Sequence, residues 1–368
     1  MWDNENDTIE TVERSWQKVN PSLSNKNLLG PIVTLLYMYS TTMSQIAAIV
    51  AKATIVAKAA VHKEVQCKSP NSTQTTFETS NRYVQSYLSY DLFSAIEEGC
   101  LTSVRNLLLS YPDLDLNYHI KDITPLSLTL YKRHFDIFHL FMRHHEKTKN
   151  IDLNMSSKDH LGRVEPPVVT SCRMHFLEGV VTLVSQGADI DAADNMGHTA
   201  LWVASRQQMP DLVQYLIANG ASVNKMDKYN CTPLLAAFMY RVSSIILKTL
   251  IVHGSSLGGV GPYCPAEQSP LFWAAKHGNV EIIKLVLMAG VSPPQIRSVR
   301  MALQNSDIDE DIVELLDMES KTPHSLRHQC KCVLRSHIIK QSDGKNFLQS
   351  VDSLPLPSSL KHYLLLNR

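Results

Sequence analysis

Histidine and cysteine are the residues of this chain best placed to do chemistry: there are fifteen of the first and seven of the second. His134, His139, His144 and His145 fall on or just after one stretch of helical pattern, and His328, Cys330 and Cys332 lie within five residues. A zinc site needs four ligands at defined spacing, with Cys pairs or a carboxylate among them. The first group has no Cys or carboxylate partner at that spacing, and the second is better read as part of a helix face, so neither is assigned a metal. No phosphate-binding glycine loop, dinucleotide glycine pattern or H-E-x-x-H motif occurs. No Ser, His and Asp set stands out as a catalytic constellation. The chain therefore reads as non-catalytic and free of cofactor.

The bulk properties point the same way. Lys plus Arg equals Asp plus Glu at 35 each, which gives no overall field toward nucleic acid or an anionic membrane. The cysteines, at 67, 100, 172, 231, 264, 330 and 332, are odd in number and irregular in spacing. That argues against a disulfide framework and fits a reducing compartment, so a cytoplasmic location is expected, with the nucleus also open to it. The first twenty residues are polar and acidic, unlike a secretory signal. Leu28–Ala51 is uncharged and long enough to span a bilayer, but the polar run Ser40–Gln45 interrupts it; two helices of a water-soluble fold are expected there instead. Lys63–Arg82 is rich in Ser, Thr, Asn and Gln and reads as a linker.

Beyond the linker the chain repeats itself. Thr199-Ala-Leu-Trp-Val-Ala204 opens one unit, Thr232-Pro-Leu-Leu-Ala-Ala237 the next, thirty-three residues on, and Ser269-Pro-Leu-Phe-Trp-Ala274 a third. Each is followed by an apolar helical run and a glycine, at Gly220, Gly254 and Gly290. Weaker units begin at Pro166 and Thr124, Tyr90–Asn117 fits as the first, and a degenerate last one covers about Gln295–Met318. The unit ends echo one another, as in Asp115-Leu-Asn117, Asp152-Leu-Asn154, Asp189-Ile-Asp191 and Ser222-Val-Asn224. Thr or Ser caps a first helix, Pro fits its first turn, Ala permits close approach of a second helix, and Gly ends that second helix. With this period and the T-P-L signature, residues from about Tyr90 to Met318 resemble ankyrin repeats, which implies an all-α solenoid of stacked helical pairs. Two units are long. The surplus around His144–His160 is expected to be an exposed loop, and a second surplus lies at Leu257–Tyr263.

The last fifty residues carry two further patterns. Leu326, Cys330, Val333 and Leu334 fall at i, i+4, i+7 and i+8 and form one apolar stripe on a helix, with Arg327, Lys331 and Arg335 expected to project elsewhere, into water. Leu354-Pro355-Leu356-Pro357 is stiff and extended, because each proline fixes its own backbone and biases its predecessor. Leu360, Tyr363 and Leu364 follow at helical spacing, with Ser358 as a cap. Together these patterns resemble a SOCS box, and the whole chain resembles the ankyrin repeat and SOCS box-containing family. The domains expected are an N-terminal extension of helix and linker over 1–85, six to seven ankyrin repeats over 86–318 and the box over 319–368.

That resemblance implies a substrate-recognition subunit of an elongin B/C–cullin-5 ubiquitin ligase with its RING protein. Leu326, Cys330, Val333 and Leu334 would meet elongin C, while Leu354, Pro355, Leu356 and Pro357 would select cullin-5. The ankyrin concave face would hold an unidentified target protein, through Arg206, Tyr240, Trp273, Lys276 and His277. Other candidates on that face are Gln207, Phe238 and Met239, with Asn195, Met196, Tyr229, Asn230 and Tyr263 at the hairpin side. Trp202, Phe238 and Trp273 could equally be large core residues. The alternatives to a ligase receptor are a plain ankyrin scaffold or a membrane-anchored adaptor.

Overall fold

Thirty-three-residue units with a capped first helix should stack as helical pairs, and they do. The computed structural model describes residues 73–258, 265–304, 306, 308–322, 325–342 and 344–366, with side chains from residue 85. Seven helical pairs run in order, namely α1 Thr73–Glu97 and α2 Leu101–Ser110, α3 Pro125–Tyr131 and α4 Phe135–Thr148, α5 Pro167–Arg173 and α6 Leu177–Ser185, α7 Ala200–Arg206 and α8 Pro210–Ala218, α9 Pro233–Met239 and α10 Ser244–Val252, α11 Pro270–Lys276 and α12 Val280–Gly290, and α13 Pro293–Ala302 and α14 Glu310–Lys321. Three helices follow them: α15 Leu326–Ser342, α16 Phe347–Asp352 and α17 Ser358–Leu364. The strands among the described residues are two dipeptides, β1 Ser157–Lys158 and β2 Val164–Glu165, paired antiparallel. The candidate span Leu28–Ala51 and the surplus residues 259–263 lie outside the described residues. No described helix is long and apolar enough to cross a membrane.

Each first helix starts as its residues dictate. The hydroxyls of Thr124, Thr199 and Thr232 each accept the amide of the third residue on, at 3.2 Å. Each thereby satisfies one of the amides that a helix start leaves unpaired. Ser269 occupies the same place without making that bond. Between the two helices of a pair the chain turns through the left-handed region at Arg133, His175, Gln208 and Arg241. Ala200, Ala204, Ala236, Ala237 and Ala274 are fully buried where first helices stack side by side. The second helices bury Leu212, Val213, Leu216 and Ile217, then Ile246, Leu250 and Ile251, then Ile282, Ile283 and Val286. Each such side chain contributes roughly 1.5–3 kcal/mol of burial, and no single pair holds enough of them to stand alone.

The echoing unit ends are staples between repeats. The side-chain oxygen of Asn117 accepts the Asp152 amide at 2.6 Å, and that of Asn154 the Asp189 amide at 2.8 Å. Asp191 takes the Ser222 amide at 2.9 Å, and Asn224 the Ser256 amide at 2.7 Å. A carboxylate or carboxamide recurring at this period thus ties each repeat to the next by a backbone bond.

Two expectations need correction. From Thr73 onward the expected linker is helical, as the leading part of α1. Extending a helix that is already nucleated adds one hydrogen bond per residue fixed, so a polar sequence can continue a packed one. The surplus at His144–His160 is not a loose loop. It is absorbed by the fourteen-residue α4, by buried Ile151 and Leu153, and by the β1–β2 hairpin, whose tip is held by Asp159 accepting the amides of Leu161 and Arg163 at 2.8 Å.

Candidate functional site

Helix α15 is amphipathic the wrong way round for a helix packed in water. Its apolar stripe faces out: Leu326 is 75% exposed and Val333 65%, with Leu334 and Cys330 exposed beside them. The opposite face buries Lys331, Arg335 and Ile338. The expectation that Lys331 and Arg335 would project into water is therefore wrong. The reason is that carbonyl oxygens and aromatic rings await them inside. Arg335 Nη1 donates to the Leu364 carbonyl and Nη2 to the Ile251 carbonyl at 3.0 Å, while its guanidinium carbon lies 4.8 Å from the Phe347 ring centre. Burial pulls its pKa down to about 10, partly offset by Cys332, so it stays charged at neutral pH. Burial likewise lowers Lys331, whose ammonium sits 4.4 Å from the Tyr363 ring, with the Arg327 guanidinium at 4.3 Å.

The three terminal helices share a small core of Ile338, Phe347, Val351 and Leu364, against which Leu354 and Leu356 pack. The two leucines of the proline segment are thus partly buried, whereas Pro355 and Pro357 stand exposed. Pro357, not Ser358, occupies the cap position of α17, and no side chain caps that helix.

This bundle sits on the ends of the second helices of three repeats. A side chain at Gly254, which has a φ of +88°, would meet the Phe347 ring at 2.8 Å, and one at Gly290 would meet the Cys332 sulfur at 2.7 Å. A side chain at Gly344 would in turn meet the Asn224 Nδ2 at 2.5 Å, and Lys345 Nζ reaches Asp191 Oδ2 at 2.5 Å. The glycines that end the second helices therefore also form the seat of the box. Sequence reasoning misses Arg335 and Lys345 as contacts, because a charged residue on a helix carries no local sign of which neighbour will cover it.

On the concave face the structure separates the candidates. Trp202 and Phe238 are buried core residues, and the Trp202 ring stacks on His198 at 3.8 Å. Trp273 is partly exposed and donates its indole N–H to the Glu267 carbonyl at 2.6 Å. Arg206 lies over Tyr240, 4.4 Å from the ring centre, and Lys276 lies 5.1 Å from Trp273. Arg206, Tyr240 and the cluster of Trp273, Lys276 and His277 thus occupy equivalent ends of α7, α9 and α11. Burial, with Arg241 and Lys276 nearby, lowers the pKa of His277. Of the hairpin-side candidates Tyr229 is 70% exposed, while Tyr263 lies outside the described residues.

A chain of buried charge underlies this face. Arg173 Nε meets Glu165 at 2.6 Å and its Nη2 meets Asp194 at 2.5 Å, while His198 bridges Asp194 at 3.0 Å and Asp227 at 3.6 Å. Asp194 and Asp227 also build the hairpin tips, by accepting the amides of the second and fourth residues after them. A cleft of about 340 Å³ opens beside this network, between Arg163, Arg173 and Arg206. Among the described residues no group of three His, Cys, Asp or Glu side chains is arranged to hold a metal.

Comparison with known proteins agrees with this geometry. A family model described as ankyrin repeats (3 copies) matches residues 152–227 and 201–296, and one described as SOCS box matches residues 322–365. The chain is similar to the tyrosine-protein kinase Shark of Drosophila melanogaster, 32% identical over 28% of this chain and 11% of that protein. It is also similar to the putative palmitoyltransferase ZDHHC13 of Danio rerio, 31% identical over 34% of this chain and 19% of that protein. The probable 26S proteasome regulatory subunit p28 of Saccharomyces cerevisiae is 28% identical over 54% of this chain and 84% of its own length. The chain spans only about a tenth to a fifth of the first two. A helical solenoid ending in an outward-facing apolar helix is thus an ankyrin array with a SOCS box, both of them adaptor modules rather than catalytic ones. The chain belongs with the ankyrin repeat and SOCS box-containing proteins.

Proposed function

We propose that this protein is the substrate-recognition subunit of an elongin B/C–cullin-5 ubiquitin ligase. The observation that carries the reading is the inversion of α15, which leaves Leu326, Cys330, Val333 and Leu334 facing out while Lys331 and Arg335 are buried. An exposed apolar stripe on an otherwise well-packed unit marks a protein interface. The SOCS box implies elongin B/C and a cullin as its partners in general. In this reading the stripe enters a hydrophobic pocket of elongin C. Exposed Pro355 and Pro357, held in place by inward-facing Leu354 and Leu356, meet cullin-5. A RING protein and a charged conjugating enzyme then act on whatever the concave face holds, and this chain transfers no ubiquitin itself.

Co-purification with elongin B/C and cullin-5 tests the proposal. Truncating a buried anchor at an interface costs roughly 2–4 kcal/mol, or about thirty- to a thousandfold in affinity. The Leu326→Ala/Cys330→Ala pair should therefore abolish elongin capture while leaving the thermal melt of the array in place. Full retention of elongin by that variant would sink the proposal.

A further inference from the structure

The five first helices of repeats two to six, each taken with the turn that follows, span residues 125–133, 167–175, 200–208, 233–241 and 270–278 and contain no Asp or Glu. They contain six cations, namely Lys132, Arg133, Arg173, Arg206, Arg241 and Lys276. In a chain with equal numbers of acids and bases this is a strong segregation. Acids flank these stretches on both sides: Glu165, Asp194 and Asp227, just before first helices, are engaged by Arg173 and His198, Glu267 precedes another, and Asp136, Glu178, Asp211 and Glu281 lie beyond the turns, in the first turn of the second helices. Two of the last four engage second-helix neighbours: Glu281 pairs with Lys248 at 2.7 Å and Glu178 with His139 at 3.6 Å. Lys132, Arg133, Arg206, Arg241 and Lys276 are exposed and form no ion pair with another described residue.

A cation in the last turn of a helix gains from the helix dipole, and this accounts for one such residue at a time. It does not account for the absence of every carboxylate from five consecutive first helices. Within the stripe the 340 Å³ cleft adds a shaped feature. Its carboxylates are already satisfied: Asp159 is paired with Arg163 at 2.8 Å and Glu165 with Arg173 at 2.6 Å. Arg206 at its edge is held by Tyr240 and keeps its donors available.

We infer that the concave stripe receives an extended acidic peptide segment of the target, with one carboxylate seated in the cleft on Arg206 and further acids toward Arg241 and Lys276. Exposed Met239 and Tyr240, with partly exposed Trp273, lie between the cations and suit apolar side chains placed between those acids. A nucleic acid fits less well, because a continuous polyanion leaving the stripe would run onto the acids beyond the turns.

This inference rests on the receptor reading but is tested apart from it. The full-length protein is titrated into a fluorescein-labelled peptide alternating Glu or Asp with Leu and Phe, into its Lys-substituted counterpart, and into a labelled single-stranded oligonucleotide. The acidic peptide should bind best, with affinity falling as salt rises. Arg206→Glu/Lys276→Glu should weaken it at least tenfold, while Lys284→Glu on the outer helices should leave it unchanged. The Leu326→Ala/Cys330→Ala variant, disabled at the elongin face, should keep it fully. Equal binding of the two peptides, no binding of the acidic one, tighter binding of the oligonucleotide, or indifference to the double charge reversal would overturn the inference, whether or not elongin binds.

Discussion

Arg335 of the terminal box donates to the backbone carbonyl of Ile251, the residue before the last one of α10, across 3.0 Å and eighty-four residues of sequence. The same guanidinium holds the Leu364 carbonyl, so one side chain joins the array, the first box helix and the last. A hydrogen bond to a charged group contributes about 1.5–3 kcal/mol, and removal of the donor takes the charged partner from both carbonyls, that of Ile251 keeping the Gly254 amide at 3.2 Å. Arg335→Met should therefore destabilise the box by roughly 2–4 kcal/mol. Hydrogen exchange of α15–α17 measures this directly. Protection equal to that of the parent protein would refute it.

The outward stripe should behave in the opposite way. Leu326 is 75% exposed and supports little of the fold. Leu326→Ala should therefore change stability by less than about 0.5 kcal/mol while weakening elongin binding severely. A urea melt and a pull-down on the same preparation separate the two effects. Replacing both Pro355 and Pro357 by Ala should leave elongin capture intact and remove cullin-5 from the complex, as read by gel filtration.

The staples between repeats predict a graded weakening. Asn154→Ala removes the acceptor for the Asp189 amide, and Asn224→Ala removes both the acceptor for Ser256 and the donor to the Gly254 carbonyl. Each should cost about 1–2 kcal/mol. The larger loss is expected at Asn224, where Gly344 of the box also packs. Chemical denaturation of the two variants gives the order.

Asp194 makes the fold sensitive to acid. Burial raises its pKa, but the hydrogen bond from the His198 ring and the amides of His198 and Met196 outweigh burial and bring it to about 2, from a usual 3.8. A carboxylate with a depressed folded pKa adds stability that is complete above its unfolded value and vanishes as pH falls through the folded one. The stability gap between the parent protein and Asp194→Asn should therefore be full at pH 6, shrink below pH 4 and close near pH 2. Denaturant midpoints across that range provide the measurement, and a gap that stays constant with pH would rule out this role.

Most of the architecture was legible because the local rules agree with one another. Thr199 and Thr232 could be read as caps because their spacing matched the repeat, and Gly220 and Gly254 as helix ends for the same reason. The stripe Leu326–Leu334 was legible as a face, and the resemblance gave it to elongin C; the burial of Lys331 and Arg335 opposite it was not legible. Periodicity reports that a helix has two sides but not which neighbour will claim each. Arg335 went inside because Ile251 and Leu364 offered carbonyls that only the fold brings together. The echo Asn154/Asp191/Asn224 was visible as a pattern, but its cause needed the next repeat in place. The acid-free first helices could have been seen in the sequence by looking for what was missing rather than for what was present.

The seat of the box on Gly254 and Gly290 has a practical consequence for anyone wishing to trap a target. Cutting the chain before Leu326 would strip Phe347, Ile339 and Cys332 from those glycines and uncover the ends of α10 and α12. A truncated form would then be a wounded solenoid rather than a silent decoy. A full-length protein altered only at the outward leucines keeps its flank sealed, and it alone would report what the concave side grips.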